Sequence, residues 1–175
     1  MSRSKGNDGT FGCLFLAALL VAGVYFGVRG LIRHPQVKPF AGHLSAYASL
    51  SGLQRAADGA YISGKVIAID KERSKVDSVF FSLPKDLRAT MPEEVGTVIW
   101  LEWDERIVGT YTDGAKGYQI TCQVTVIDKD NAAIVASQSF AGSRPPGTKS
   151  GSGSRSGSKP TGDIVQFITA LPRRP

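Results

Sequence analysis

The longest uncharged stretch of the sequence lies near its N-terminus. Residues 11–28 contain no charged and no strongly polar side chain. As an α-helix they span about 27 Å, close to the roughly 30 Å hydrocarbon core of a bilayer. Two more apolar residues follow Arg29, whose long side chain can reach the headgroup region. The sequence therefore predicts a single transmembrane helix at 11–32, preceded by a short basic tail at 1–10.

A cleaved signal peptide is the alternative to this membrane anchor. The apolar region of a signal peptide is shorter and precedes a site with two small residues. The nearest such site here, Val21-Ala22-Gly23, lies inside the apolar run, which favours an uncleaved anchor. Basic residues flank the run equally on both sides when the amino terminus is counted. The short N-terminal tail then favours a domain outside the cytoplasm.

Two glycines in the apolar run bear on the oligomeric state. Gly23 and Gly27 form a pair of small residues four positions apart. Such spacing lets two membrane helices approach closely. A homodimer through these glycines is therefore compatible with the sequence.

The formal net charge of +6 is unevenly distributed. Residues 1–38 carry +4, residues 39–141 carry −3, residues 142–162 carry +4 and residues 163–175 carry +1. The part predicted to fold is therefore mildly acidic, and the basic residues lie in its flanks. This argues against nucleic-acid binding, which needs a basic face on a folded domain. Basic flanks suit anionic lipid headgroups or act as solvated tails.

The region 61–141 shows the two-residue alternation typical of β-strands. It is clearest in the segment 118–127, where apolar and polar side chains alternate without a break from Gln119 to Val126. Residues 97–103 are apolar on both faces, which indicates a central strand. The candidate strands are 61–69, 76–82, 96–103, 107–111, 118–127 and 133–140.

A weak internal repeat indicates how some strands pair. Asp70-Lys71-Glu72 and Asp128-Lys129-Asp130 each end one apolar run and precede another. Both segments predict a strand–turn–strand hairpin in which the Asp side chain caps the turn. Parallel pairing needs a crossover, usually helical, and only the proline-bounded stretch 83–94 offers one. The six strands therefore predict a mainly β fold, a small antiparallel barrel or sandwich at 61–141.

The segments that flank this domain are assigned from composition. Prolines at 35 and 39 interrupt residues 33–60, which predicts a connector. Residues 142–162 contain only Gly, Ser, Pro, Thr, Lys and Arg, which predicts a disordered basic linker. The last segment, 163–175, is apolar again. Asp163 as N-cap and Pro172 as a stop predict a short helix at 163–170, which either folds back on the sheet or docks on another protein.

Catalytic signals are weak. Two cysteines and two histidines provide neither a disulfide scaffold nor a zinc cluster, and we predict no cofactor and no metal. Acidic residues around 102–105 suggest a calcium site, but a solvated strand end explains them better. The alternative function is a small membrane-tethered enzyme with a polar site near Glu102, Arg106, Tyr111 and Asp113.

The sequence favours binding over catalysis. Trp100 and Trp103 fall on opposite faces of one predicted strand, so one belongs to the core and the other is available to a partner. The predicted protein is a single-pass membrane-anchored β domain that acts as a non-enzymatic interaction or assembly module. Its predicted partners are the lipid bilayer, through residues 11–32, and another protein.

Overall fold

The computed structural model describes residues 35–57, 59–148 and 150–174. The predicted basic tail at 1–10 and membrane helix at 11–32, with its glycine pair, lie outside these residues. Among the residues that are described, none belongs to a helix both long and apolar enough to cross a bilayer.

Internal contacts divide the chain into two units after Pro39. Of the first unit the structure describes residues 35–39, which are helical, and a 3-10 helix, Lys38–Phe40, spans the boundary. The second unit, Phe40–Pro175, contains the sheet.

The second unit is mainly β. Its described residues form nine strands: β1 Gln54–Arg55, β2 Ile62–Ser63, β3 Lys65–Asp70, β4 Lys75–Val76, β5 Val95–Thr110, β6 Lys116–Asp128, β7 Ala133–Ala141, β8 Arg155–Ser156 and β9 Arg173–Arg174. The α-helices are α1 Leu44–Ala48, α2 Ser78–Ser82 and α3 Thr161–Ala170. A further 3-10 helix, Pro92–Glu94, directly precedes β5.

The main sheet is mixed and open. Its strand order is β1-β7-β6-β5-β3-β4, and β8 also pairs with β6. The β5–β6 and β6–β7 pairs are antiparallel, whereas β3–β5 and β1–β7 are parallel. The first and last strands of this order, β1 and β4, do not pair, so the sheet is not closed and the predicted barrel is wrong. The mainly β class is confirmed.

Among the strands predicted from the sequence, antiparallel pairing fails between β3 and β5. Strands β3 and β5 run in the same direction, and residues 71–94 cross between them. This crossover contains α2, which is only five residues long and therefore too short to show a helical period in the sequence.

The predicted strand at 76–82 is also wrong. Strand β4 ends at Val76, and α2 begins two residues later. The cause is Asp77, whose Oδ1 accepts a hydrogen bond from the Val79 N–H at 2.8 Å and caps the helix.

The strands predicted at 96–103 and 107–111 form one continuous strand, β5. Asp104, Glu105 and Arg106 do not interrupt it, because they continue the antiparallel pairing with β6 and hold their side chains in solvent. The strands predicted at 118–127 and 133–140 are present, because β6 and β7 cover these residues.

Both predicted turn caps are present. Asp70 Oδ1 accepts a hydrogen bond from the Arg73 N–H at 3.0 Å. Asp128 Oδ1 accepts the N–H groups of Asp130 and Asn131, each at 3.1 Å. The repeated sequence therefore corresponds to two similar turns, each capped by its Asp side chain as predicted.

Backbone pairing occurs inside the segment predicted to be a disordered linker. Strand β8 pairs with β6, and the Gly157 N–H donates to the Tyr118 carbonyl at 2.9 Å. A Cβ added at Gly157 would collide with the Ser143 carbonyl oxygen, so the backbones approach more closely than any side chain allows. Glycine and not apolar burial makes this packing possible, which is why composition alone suggested disorder.

The core lies where β3, the first half of β5 and the last part of β6 are buried, and α3 packs on this end of the sheet. Helix α3 includes the predicted 163–170, although its N-cap is Pro160 and Asp163 lies in its first turn. The Phe167 ring lies 5.5 Å from the Phe140 ring of β7, so the helix folds back on the sheet. The fully buried apolar side chains are Phe40, Val66, Ile67, Ala68, Ile69, Val79, Val98, Ile99, Leu101, Val124, Val126, Ile127, Ile164 and Ile168.

Candidate functional site

The two tryptophans of β5 project from opposite faces of the sheet. Trp100 is 7 % exposed, and its Nε1 donates to the Tyr47 carbonyl at 2.7 Å. Trp103 is half-buried, and its Nε1 donates to Asp77 Oδ2 at 2.9 Å. The Lys159 ammonium lies 4.1 Å from the centre of a Trp103 ring. Trp100 thus belongs to the core, while Trp103 is partly covered by the protein's own chain.

The β5–β6 hairpin extends beyond the core. Residues 95–101 are buried, whereas residues 104–110 are exposed. We call residues 104–120 the arm. The arm displays two exposed large apolar side chains, Ile107 at 59 % and Val108 at 43 %.

An open groove of about 560 Å³ lies at the root of the arm. Neighbouring strands place side chains in rows across one face of the sheet. One row runs from Glu102 through Gln123 to Ser139, and the next from Asp104 through Thr121 to Ala141. The groove is lined by Glu72, Glu102, Trp103, Asp104, Arg106, Thr121, Cys122, Gln123, Ser139, Phe140 and Ala141.

Two of the carboxylates that line the groove form ion pairs with neighbouring cations. Lys71 Nζ lies 3.0 Å from Glu102 Oε1, and Arg106 Nε lies 3.4 Å from Asp104 Oδ2. Three carboxylates and one guanidinium line the groove, so its lining is acidic.

The amide and hydroxyl groups of the groove are linked as well. Gln123 Nε2 donates to Ser137 Oγ at 2.8 Å, and Ser139 Oγ donates to Gln123 Oε1. These contacts orient the Gln123 amide across β6 and β7. The groove therefore has a fixed polar floor.

The thiol of Cys122 does not contribute nucleophilic chemistry. Its side chain is buried, and burial, with the nearby Asp77 carboxylate adding to it, raises the pKa of the thiol to about 12. The thiol is therefore protonated at neutral pH, and thiolate is the nucleophilic form.

The four residues of the enzymatic alternative do not converge. Glu102 and Arg106 line the groove. Tyr111 lines a separate cavity of about 190 Å³, and its hydroxyl donates to the Pro146 carbonyl at 2.6 Å. Asp113 lies in the turn at the arm tip, where its Oδ1 accepts the Ala115 N–H at 3.2 Å. The acidic residues considered for calcium form no group of three or more metal-ligating side chains within the described part of the chain.

Sequence reasoning did not identify the groove residues on β6 and β7 as part of a site. Thr121 and Gln123 occupy the polar positions of the alternating strand, which the pattern did show. Their alignment with Glu102 and Ser139 depends on strand register, which one sequence does not reveal.

Comparisons with protein-family models, with curated proteins and with solved structures find no match for this chain.

Proposed function

We propose that this chain is a single-pass membrane-anchored β domain that acts as a non-enzymatic interaction module. In this proposal the groove at the root of the arm binds an extended, basic segment of another protein. The observation that carries the proposal is the open groove, in which carboxylates lie beside hydrogen-bonding side chains from three adjacent strands.

Charge supports a basic ligand. Glu72, Glu102 and Asp104 outnumber the single Arg106 in the lining, and residues 39–141 as a whole carry −3. Complementary charge speeds encounter and selects among partners. Rim charges of this kind suit a reversible interaction.

The shape of the groove supports an extended ligand. Its floor spans three adjacent strands, which are about 4.8 Å apart. Gln123, Ser139 and Thr121 provide donors and acceptors along that floor. An extended backbone can satisfy such groups, since it presents its own N–H and C=O groups along its length.

Peptide binding to the full chain in detergent tests this proposal. We expect a fluorescent decapeptide of alternating Lys and Ser to bind at least tenfold more tightly than the matching Glu and Ser peptide, by anisotropy. The Glu102→Gln/Asp104→Asn double variant should lose most of this preference. Asp113→Asn, which removes a carboxylate of the arm outside the groove, is the matched control. Equal binding of both peptides would refute the proposed ligand class.

The membrane anchor is tested separately. The uncharged run at 11–28 supports it. The full chain should remain in the membrane pellet after alkaline carbonate extraction, and a variant without residues 11–32 should be released. Release of the full chain would refute the anchor.

The enzymatic alternative has one supporting observation, because Glu102 and Arg106 share the groove. Ester and phosphate-ester substrates should show no turnover by the full chain. Turnover that disappears in Glu102→Gln and in Arg106→Gln would replace the binding function by catalysis.

A further inference from the structure

The two strands of the arm differ at their outer edges. The outer edge of β6 is covered by β7 along residues 121–128 and by β8 at residues 117–118. The outer edge of β5 is covered by β3 as far as Leu101. The last bond on that side runs from the Lys71 N–H to the Leu101 carbonyl at 3.2 Å. Beyond Leu101, none of the described residues pairs with this edge.

Alternate residues of β5 present their backbone groups to the open edge. The N–H and C=O groups of a strand residue point to the same side, and the side alternates along the chain. Because the Leu101 carbonyl faces β3, the groups of Trp103, Glu105 and Ile107 face the open edge. The Glu105 N–H is bonded to the adjacent Asp104 side chain at 2.9 Å.

The open edge has a defined length. Strand β3 occupies the edge up to Leu101, and a register irregularity lies between Ile107 and Gly109. The regular, unpaired backbone between these limits is 103–107, and Glu105 is its centre.

We infer that a second copy of this chain pairs with residues 103–107 as an antiparallel strand. A two-fold arrangement centred on Glu105 uses the whole open edge. It forms about six backbone hydrogen bonds, two at each outward-facing pair, when the Glu105 N–H exchanges Asp104 Oδ1 for the carbonyl of the second copy. Trp103 then faces Ile107 of the second copy, and each copy contributes the same surface.

Charge complementarity supports this register. With Glu105 at the centre, Asp104 of each copy faces Arg106 of the other, at the distance at which cross-strand pairs interact. In one chain these two side chains already lie 3.4 Å apart and are both mostly exposed, so they can exchange partners. Registers centred on Asp104 or on Arg106 pair only two of the three outward-facing residues within 103–107, so they leave part of the open edge unused.

The charged residues explain why this edge remains selective. Charges on an exposed edge oppose pairing with unrelated strands. Here the register that uses the whole open edge also brings Asp104 of each copy opposite Arg106 of the other. The one unfavourable contact is Glu105 opposite Glu105, which keeps the association reversible.

Charge-swap variants test the dimer in the full chain by sedimentation equilibrium in density-matched detergent. Asp104→Arg and Arg106→Asp should each weaken dimerisation at least tenfold, because each creates like-charge pairs. The Asp104→Arg/Arg106→Asp double variant should return to within threefold of the wild-type dissociation constant. Glu105→Gln should tighten the dimer about threefold.

Several results would overturn the inference. One is a monomer at all concentrations, and another is a dimer that none of these substitutions affects, which is the result expected if Gly23 and Gly27 alone hold it. No peptide takes part in the measurement, so its outcome is independent of the groove proposal.

A cysteine at the two-fold axis provides a second measurement. Directly opposite residues of a hydrogen-bonded pair have Cα atoms about 5.5 Å apart, within the range of a disulfide. Glu105→Cys should therefore form a cross-linked dimer under mild oxidation. Lys116→Cys, on the other strand of the arm, is the matched control and should not. Equal cross-linking of both variants, or of neither, contradicts the proposed pairing.

Discussion

The inner and outer halves of β5 share one backbone conformation in opposite surroundings. Ile99 in the inner half is fully buried, whereas Ile107 in the outer half is 59 % exposed. The inner half has neighbours on both edges, β3 and β6, and the outer half has β6 on one edge. Burial fixes the inner half, while backbone pairing with β6 extends the outer half away from the core. The stable part of the domain and its proposed interaction surfaces thus lie on one continuous strand.

The largest predicted effect is the difference in unfolding free energy between alanine substitutions at these two isoleucines. Ile99→Ala leaves a cavity in the core and should lower the free energy of unfolding by about 3 kcal/mol. Ile107→Ala removes an exposed side chain and should change it by less than about 0.5 kcal/mol. Urea denaturation followed by tryptophan fluorescence measures both. Equal losses would mean that the arm is part of the cooperative core.

A second matched pair tests how the arm is held on its β6 side. Gly157 lies beside the Ser143 carbonyl, and Gly147 has open space around it. Gly157→Ala forces the two backbones apart and should cost about 2 kcal/mol of unfolding free energy, as overpacking does. Gly147→Ala should have almost no effect. If both variants retain wild-type stability, the segment 142–158 does not hold the arm.

The sequence predicted the elements whose signal is local. The alternation at 118–127 located β6, and the two Asp-Lys-acidic segments located both capped turns. Asp77 was a local signal as well, because an Asp followed by Ser and an apolar run is a helix N-cap pattern. The interpretation of the apolar run from Val76 to Phe81 as the second strand of a hairpin obscured it.

The remaining features depend on long-range contacts. Asp104, Glu105 and Arg106 suggested a break between strands, yet pairing with β6 continues the strand through them. Parallel pairing of β3 with β5 depends on a crossover whose helix has only five residues. The groove depends on the register of three strands. In each case the deciding partner lies far away in the sequence, so local pattern did not reveal it.

The smallest predicted effect concerns a carboxylate at the base of the sheet. Glu94 directly precedes β5, and its Oε2 accepts the Thr90 N–H at 2.6 Å and the Thr90 hydroxyl at 2.8 Å. These bonds, with Lys65 Nζ 3.0 Å from Oε1, lower the pKa of Glu94 from 4.5 to about 2. Because the pKa is lower in the folded state, ionised Glu94 stabilises the fold above pH about 4.5. This stabilisation is lost as the pH falls towards 2.

Removal of the Glu94 carboxylate should therefore flatten the acid side of the stability profile. Urea midpoints measured at pH 5, 4 and 3 should decline less in Glu94→Gln than in the wild type, because the variant has no carboxylate to protonate there. Glu72→Gln, an exposed carboxylate in the turn after β3, is the matched control, and it leaves the Thr90 and Lys65 contacts intact. A decline in Glu94→Gln as steep as in the wild type would show that the base of β5 does not depend on this ionised group.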